Sequence, residues 1–258
     1  MRGLRALAAA TVVAAGLGLF AGSALAVKAE KEPESRDWSF YGLFGSYDRA
    51  AQQRGYLVYK EVCSGCHSVK YLSFRNLLDI GFSEEEAKAV AAEFMVEDGP
   101  DEEGEMFERE ARLSDPFPRP YRNDNEARSL NNGALPPDLS LMTKARHGGP
   151  DYLFALLTGY VAEPPAGVEI ADGMAYNPYF PGSQIAMPEL LFEDSVEYAD
   201  GTAATVEQMA EDVTTFLAWA AEPSLERRHS LGFQVIIYLI LLTGLFWLIK
   251  RRTWRDVH

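Results

Sequence analysis

Apolar residues recur at helical spacing over two stretches that lie near opposite ends of the middle of the chain. In Ser46 to Val62 (SYDRAAQQRGYLVYKEV), Ala51, Gly55, Val58 and Val62 share one face, which predicts an amphipathic helix capped by Ser46 or Asp48 and ending where the cysteines begin. Farther on, Val206, Met209, Val213, Phe216, Leu217 and Ala220 form one apolar stripe, opened by the capping-box pattern Thr205-Val206-Glu207-Gln208 and stopped by Pro223. Two helices are therefore expected to bracket a domain. Between them the pattern breaks into Pro- and Gly-rich stretches, Asn131 to Pro137 and Asn177 to Pro188, read as ordered loops around short helices such as Asp151 to Leu157. Glu93 to Asp115 holds ten acidic residues and two Arg, with Gly99, Pro100 and Gly104 interrupting any helix, and is expected to be an exposed loop.

The two termini follow different patterns. Leu231 to Ile249 is 19 residues without a charge, about 28 Å as a helix, which predicts a transmembrane span. Four basic residues follow it (Lys250, Arg251, Arg252, Arg255) and two precede it (Arg227, Arg228), so the C-terminus is expected on the cytoplasmic side. Residues 1-26 combine Arg2 and Arg5, an Ala/Leu/Val/Gly run to Phe20, and Ala24-Leu25-Ala26, the pattern of a signal peptide cleaved after Ala26; a retained N-terminal anchor is the alternative. Arg2 and Arg5 are not adjacent, so a twin-arginine signal is not indicated. The expected organisation is a signal peptide over 1-26, an exported domain over 27-226, and an anchor with a short tail over 227-258.

Charge narrows the classes of function. The 258 residues carry 24 Lys and Arg against 38 Asp and Glu, a formal charge of -14. That excludes a nucleic-acid binder, which needs a basic face to displace counterions from phosphate. Without the signal and residues 231-258, 18 basic and 37 acidic residues remain, so the exported domain carries about -19 and is expected to attract basic carriers over a distance. A hydrophobic content of 47% is too high for a disordered chain, and two cysteines are too few for a disulfide scaffold.

Those cysteines lie in Cys63-Ser64-Gly65-Cys66-His67, the C-x-x-C-H pattern of covalent c-type haem attachment. Two thiols three positions apart suit the two vinyl groups of one haem edge, and the adjacent His supplies the proximal ligand. A thioredoxin-like pair would need a βαβ context, a zinc site would need further ligands, and a Cys63-Cys66 disulfide would close too short a loop to stabilise much. For the sixth ligand the candidates are Met95, Met106, Met142, Met174, Met187, Met209 and His147. Met209 belongs to the apolar stripe, and Met95 and Met106 to the acidic segment. Met187 lies on a restrained loop before Pro188, with Met174, Met142 and His147 as alternatives.

The haem motif together with Asn131-Asn132-Gly133-Ala134-Leu135-Pro136-Pro137-Asp138-Leu139-Ser140, Ala145-Arg146-His147-Gly148-Gly149, Leu156-Leu157-Thr158-Gly159-Tyr160, Asn177-Pro178-Tyr179-Phe180-Pro181-Gly182 and Leu217-Ala218-Trp219-Ala220-Ala221-Glu222-Pro223 resembles the cytochrome c1 family over nearly the whole mature chain. The resemblance implies a mostly α, cytochrome c-like haem domain with loop insertions and one C-terminal transmembrane helix. It implies one covalently attached haem c, with Cys63 and Cys66 as attachment points and His67 and Met187 on the iron. Arg146 would pair with a haem propionate near Tyr152, and Asn131 and Pro137 would line the pocket. The alternative for Arg146 is an ordinary surface arginine. The implied function is electron transfer within the cytochrome bc1 complex, a quinol-cytochrome-c reductase. The chain would accept electrons from the Rieske iron-sulfur protein beside cytochrome b and reduce a soluble or tethered cytochrome c. Its location would be a bacterial inner membrane, with the haem domain in the periplasm. A c-type subunit of another oxidase or dehydrogenase is the alternative, and a haem sensor would need a displaceable sixth ligand.

Overall fold

A computed structural model describes residues 28-255; the predicted signal peptide lies outside the described residues. Helix α1 spans Arg49–Val58. Of the two candidate caps it is Asp48 that acts, its carboxylate accepting from the amides of Ala50 and Ala51 at 2.9 and 3.2 Å. The chain then continues into a π-helical turn, Tyr59–Cys63, closed by the Ser64 amide on the Tyr59 carbonyl at 2.8 Å. A 3₁₀ helix, Phe74–Ile80, and helix α2, Glu84–Ala92, come next, the latter opened by a capping box between Ser83 and Glu86.

The acidic segment departs from expectation. Strands β1, Met95–Asp98, and β2, Phe107–Glu110, pair antiparallel with Met95 opposite Glu110 and Asp98 opposite Phe107. Gly99, Pro100 and Gly104 thus lie in the connection of a hairpin and do not mark an irregular loop. Arg109 clasps its base, bonding both Asp98 and Asp115. The predicted exposure is correct, since Met95 and Met106 both stand open to solvent.

Helices α3 (Asp124–Leu130), α4 (Met142–Ala145) and α5 (Gly149–Thr158) follow, then a two-residue ladder of β3 (Ala175–Tyr176) and β4 (Gln184–Ile185). Helix α6 runs over Val206–Ala221, capped by the Thr205 hydroxyl, which accepts from the Gln208 amide. Helix α7 occupies Leu225–Thr253.

The predicted bracketing helices meet directly. α1 crosses α6 at Gly55, where an added Cβ would come within 2.0 Å of the Asp212 carbonyl oxygen and 2.8 Å of the Phe216 Cβ. Only glycine permits that approach. Met209, Val213, Phe216 and Trp219 of α6 are buried against Tyr56, Val58 and Tyr59, so the apolar stripe is the floor of the core. Arg54 secures the crossing, its Nε and Nη2 both donating to the buried Asp212 at 2.9 Å and its Nη1 to Asp200. An ion pair so enclosed needs this many bonds to offset desolvation. Helix α7 contains the whole charge-free run and is long and apolar enough to cross a membrane, and Leu225 is its one buried residue among those described.

Candidate haem site

The π turn after α1 delivers the cysteines. Its extra residue per turn re-aims the chain, and the amides of Cys66 and His67 fold back onto the Cys63 carbonyl at 3.1 and 2.9 Å. Both thiols are free of a disulfide. Burial, with the neighbouring Cys66 adding to it, pushes the Cys63 thiol up to about 12, the opposite of the acidic thiol that a disulfide oxidoreductase needs.

His67 is buried, and its Nδ1 bonds the Pro137 carbonyl at 2.7 Å. A carbonyl oxygen can only accept, so Nδ1 carries the proton and Nε2 keeps its lone pair. Burial holds the imidazole below its ordinary pKa, against the opposing pull of the Pro137 carbonyl and Asp138, which keeps the ring neutral. Nε2 makes no hydrogen bond among the described residues, as a metal ligand oriented through its other nitrogen requires.

The Pro137 carbonyl is itself fixed by the segment behind it. Asp138 accepts from the Ser68 hydroxyl at 2.7 Å, the Lys70 amide at 2.9 Å and the Ser140 amide at 3.1 Å, and the Leu139 amide donates to the Ser68 carbonyl. The Tyr59 hydroxyl donates to the His67 carbonyl at 3.1 Å. Asn131 closes the end of α3, its Nδ2 donating to Ala127 at 2.7 Å and to the Tyr121 hydroxyl at 2.9 Å, and Tyr121 in turn stands in hydrogen-bonding reach of Cys66. Cys63, Cys66, His67, Asn131 and Pro137 thus occupy one neighbourhood.

Met187 is placed by different means. The β3–β4 ladder and the buried Asn177, whose Nδ2 donates to the Leu156 carbonyl at 2.8 Å, hold the loop that leads to it. Its carbonyl accepts from the Tyr160 hydroxyl at 3.0 Å, and its half-buried side chain packs against the core. Burial raises the Tyr160 hydroxyl well above its ordinary value, so it stays a donor at any working pH. Of the other candidates, Met142 and Met209 are buried core residues, Met174 is half-buried in the loop before β3, and His147 is exposed. Tyr152 is buried beside both Tyr160 and Arg146. Arg146 itself is exposed at the end of α4, where its Nη1 donates to the adjacent Ala145 carbonyl at 3.4 Å and its side chain also bonds the Tyr152 hydroxyl. The unbroken stretch from Pro137 to Tyr160 links the two neighbourhoods.

The residues fit a haem c: two free thiols at the attachment spacing, a neutral imidazole with an open Nε2, and a thioether on a separate restrained loop. The exposed Leu135 and Leu190, on the loops that carry Pro137 and Met187, offer apolar surface beside these donors. Sequence reasoning assigned no role to Tyr59, Tyr121 or Tyr160. Tyr160 stood within a recognised motif, but its partner is a backbone carbonyl, which any residue type would supply.

The sequence profile of the Cytochrome C1 family matches residues 38–257. "Cytochrome c1 1, heme protein, mitochondrial" of Arabidopsis thaliana is 53% identical over 93% of this chain and 78% of its own length. "Cytochrome b-c1 complex catalytic subunit, mitochondrial" of Candida albicans is 49% identical over 87% of this chain and 78% of its own. "Cytochrome b/c1" of Bradyrhizobium diazoefficiens is 46% identical over 97% of this chain and 40% of its own. With a match that runs from Trp38 almost to the C-terminus, across the C-x-x-C-H motif, Met187 and the apolar helix, the chain belongs to the Cytochrome C1 family.

Proposed function

We propose that this chain is the haem c electron carrier of a cytochrome bc1 complex, taking electrons from a Rieske iron-sulfur protein beside cytochrome b and passing them to a soluble or tethered cytochrome c. The reading rests above all on the His67 ring, fixed through Nδ1 with Nε2 open, within a C-x-x-C-H motif of this family. The names of the relatives, a heme protein and a b-c1 complex subunit, support it. Bound haem supplies a one-electron couple and no chemistry on a substrate. Cys63 and Cys66 would hold the single haem covalently, and His67 and Met187 would be its iron ligands. Pro137 orients the proximal imidazole and, with Asn131, lines the pocket, while Arg146 and Tyr152 meet a propionate. Residues 1-26 are the signal peptide and 27-226 the domain exported to the periplasm. Residues 227-258 anchor it in a bacterial inner membrane, with the C-terminus cytoplasmic.

Cys63→Ala with Cys66→Ala is expected to abolish haem staining on a denaturing gel, and staining that persists overturns the covalent reading. Met187→Leu is expected to keep the stain, lose the methionine-iron absorption band and lower the potential. An unchanged potential moves the distal ligand to another residue.

A further inference from the structure

The segment from Trp38 to Tyr47 is a closed loop with opposite inner and outer sides. The Ser46 amide donates to the Ser39 carbonyl at 3.0 Å across its neck, and the Tyr41 amide donates to the Trp38 carbonyl at 2.9 Å. Trp38, Phe40 and Tyr47 face inward and are buried, the Tyr47 hydroxyl donating to the Ala218 carbonyl at 3.1 Å. Gly42 turns the tip at φ +82°, and at Gly45 a Cβ would come within 2.4 Å of the Phe40 backbone, so the shape is fixed by glycine at both places. Outward stand Leu43 and Phe44, 81% and 82% exposed, with Tyr41 partly so. Two adjacent large apolar side chains that open, on a loop this tightly closed, are not the scattered single exposures normal for a soluble surface.

The position of this tip says what covers it. The Phe44 ring lies 6.4 Å from the ring of Phe233, which is the third residue of the charge-free run and so roughly 3 Å past its start along the helix axis. The other side of the loop bonds the same helix: the Tyr47 amide donates to Glu226 at 2.9 Å, and His229 Nδ1 bonds the Gly45 carbonyl at 3.2 Å. A groove of about 360 Å³ lies between loop and helix, walled by Leu43, Phe44 and Phe233. No charge occurs from Trp38 to Tyr47, while Asp37, Asp48 and Arg49 flank the loop and Glu226, Arg227 and Arg228 precede the charge-free run. A tip that is itself uncharged and touches the start of a membrane-spanning run, with charges of both signs set only outside it, is at the depth of the lipid headgroups and upper acyl chains.

We infer that the Tyr41-Gly42-Leu43-Phe44 tip is a second membrane contact, seated in the headgroup and acyl boundary of the phospholipid leaflet on the side of the haem domain. It rests on the reading of α7 as a membrane span. A single helix leaves a domain free to swivel, and a second contact beside it fixes which side of the domain faces the bilayer.

The test is collision accessibility of nitroxide labels on the full chain with its copurifying subunits, in phosphatidylethanolamine and phosphatidylglycerol vesicles. Leu43→Cys and Phe44→Cys carry the label, and the unsubstituted chain sets the background from Cys63 and Cys66. Both side chains are exposed, so little packing is lost. Asp101→Cys on the hairpin connection marks water and Leu241→Cys marks the bilayer interior. Labels at 43 and 44 are expected to collide with oxygen more readily than the one at 101 and less readily than the one at 241, and several-fold less with a water-soluble nickel chelate than the one at 101. Free collision with nickel at 43 and 44 overturns the inference, as does weak collision with both probes, which means a protein partner covers the tip. If the label at 241 is itself open to nickel, the membrane reading of α7 fails and not the loop contact alone.

Discussion

The loops that carry His67 and Met187, the proposed haem ligands, differ in how the protein holds them. Around His67 the bonds are dense and run between distant stretches: the ring to Pro137, the Tyr59 hydroxyl to the His67 carbonyl, Ser68 and Lys70 to Asp138, the Leu139 amide to Ser68, and the Tyr71 amide to Ser140. Around Met187 one hydroxyl grips the backbone, and a ladder of two residue pairs with the buried Asn177 steadies the approach. The His67 ring, the proposed proximal ligand, is therefore set by the protein itself, through a network in which each member restrains the others. Met187, the proposed distal ligand, sits on a segment with fewer such bonds, the kind expected to open first. Loss of axial coordination is expected to begin at Met187, with His67 still in place.

The largest effect is expected where the proximal network converges. Asp138→Ala removes the acceptor of three bonds at once and is expected to cost about 3 kcal/mol, since charge-assisted bonds are worth roughly 1.5–3 kcal/mol each and do not add fully. Denaturant unfolding of the full chain in detergent measures it. The same carboxylate gives a pH signature. Burial alone would raise it, but the Lys70 amide, Ser68 and Ser140 together hold it below the usual range. A depressed folded value means that its contribution is complete above the unfolded value of about 3.9 and is lost as pH falls through the folded one. Asp138→Asn is expected to remove that acid-side loss, and an unchanged slope of stability against pH means the carboxylate is not part of the network.

A smaller effect tests the distal side. Tyr160→Phe deletes one neutral bond to the Met187 carbonyl and is expected to cost about 1 kcal/mol. Under the comparison above, its main consequence is local: the methionine-iron band is expected to bleach at lower temperature or denaturant than in the parent, while the covalent haem stays. Simultaneous loss of that band and of global structure, in both proteins, would mean the two loops are equally stable.

These two loops were also unequally legible. Cys63, Cys66 and His67 announce themselves because adjacent residues do one job, and the bracketing helices because a 3.6-residue period marks a buried face. Met187 could be ranked but not fixed from its loop, because a distal ligand has no spacing to its partner. The Pro137 carbonyl gives no signal as an acceptor, since every residue has one, and it became a site candidate through resemblance alone. The acidic hairpin was hidden for another reason: Gly and Pro break helices and turn strands alike, and the four-residue strands beside them are too short and too charged to show alternation. At the membrane end, the charge-free run was plain, but the contact of Phe44 with Phe233 joins residues that only tertiary folding brings together.

The smallest expected effect decides what Arg146 does. On the exposed end of α4, with its neighbour's carbonyl and the Tyr152 hydroxyl as its partners, it supports the fold little, and Arg146→Gln is expected to change stability by less than about 1 kcal/mol. That much is common to the surface arginine and to the propionate partner. The two part over the potential. A cation near the haem favours the reduced, less positive form, so its loss lowers the midpoint. Two charges about 4 Å apart in water interact by about 1 kcal/mol, which for one electron is on the order of 40 mV. A drop of a few tens of millivolts in Arg146→Gln, shrinking as salt screens the exposed site, supports the propionate role. Arg146→Lys, which keeps the charge and loses the planar fork, is expected to fall between parent and glutamine. An unchanged midpoint at low salt leaves Arg146 a surface residue, and Tyr152, buried beside it, would then remain as the polar side chain of this pair facing the distal neighbourhood.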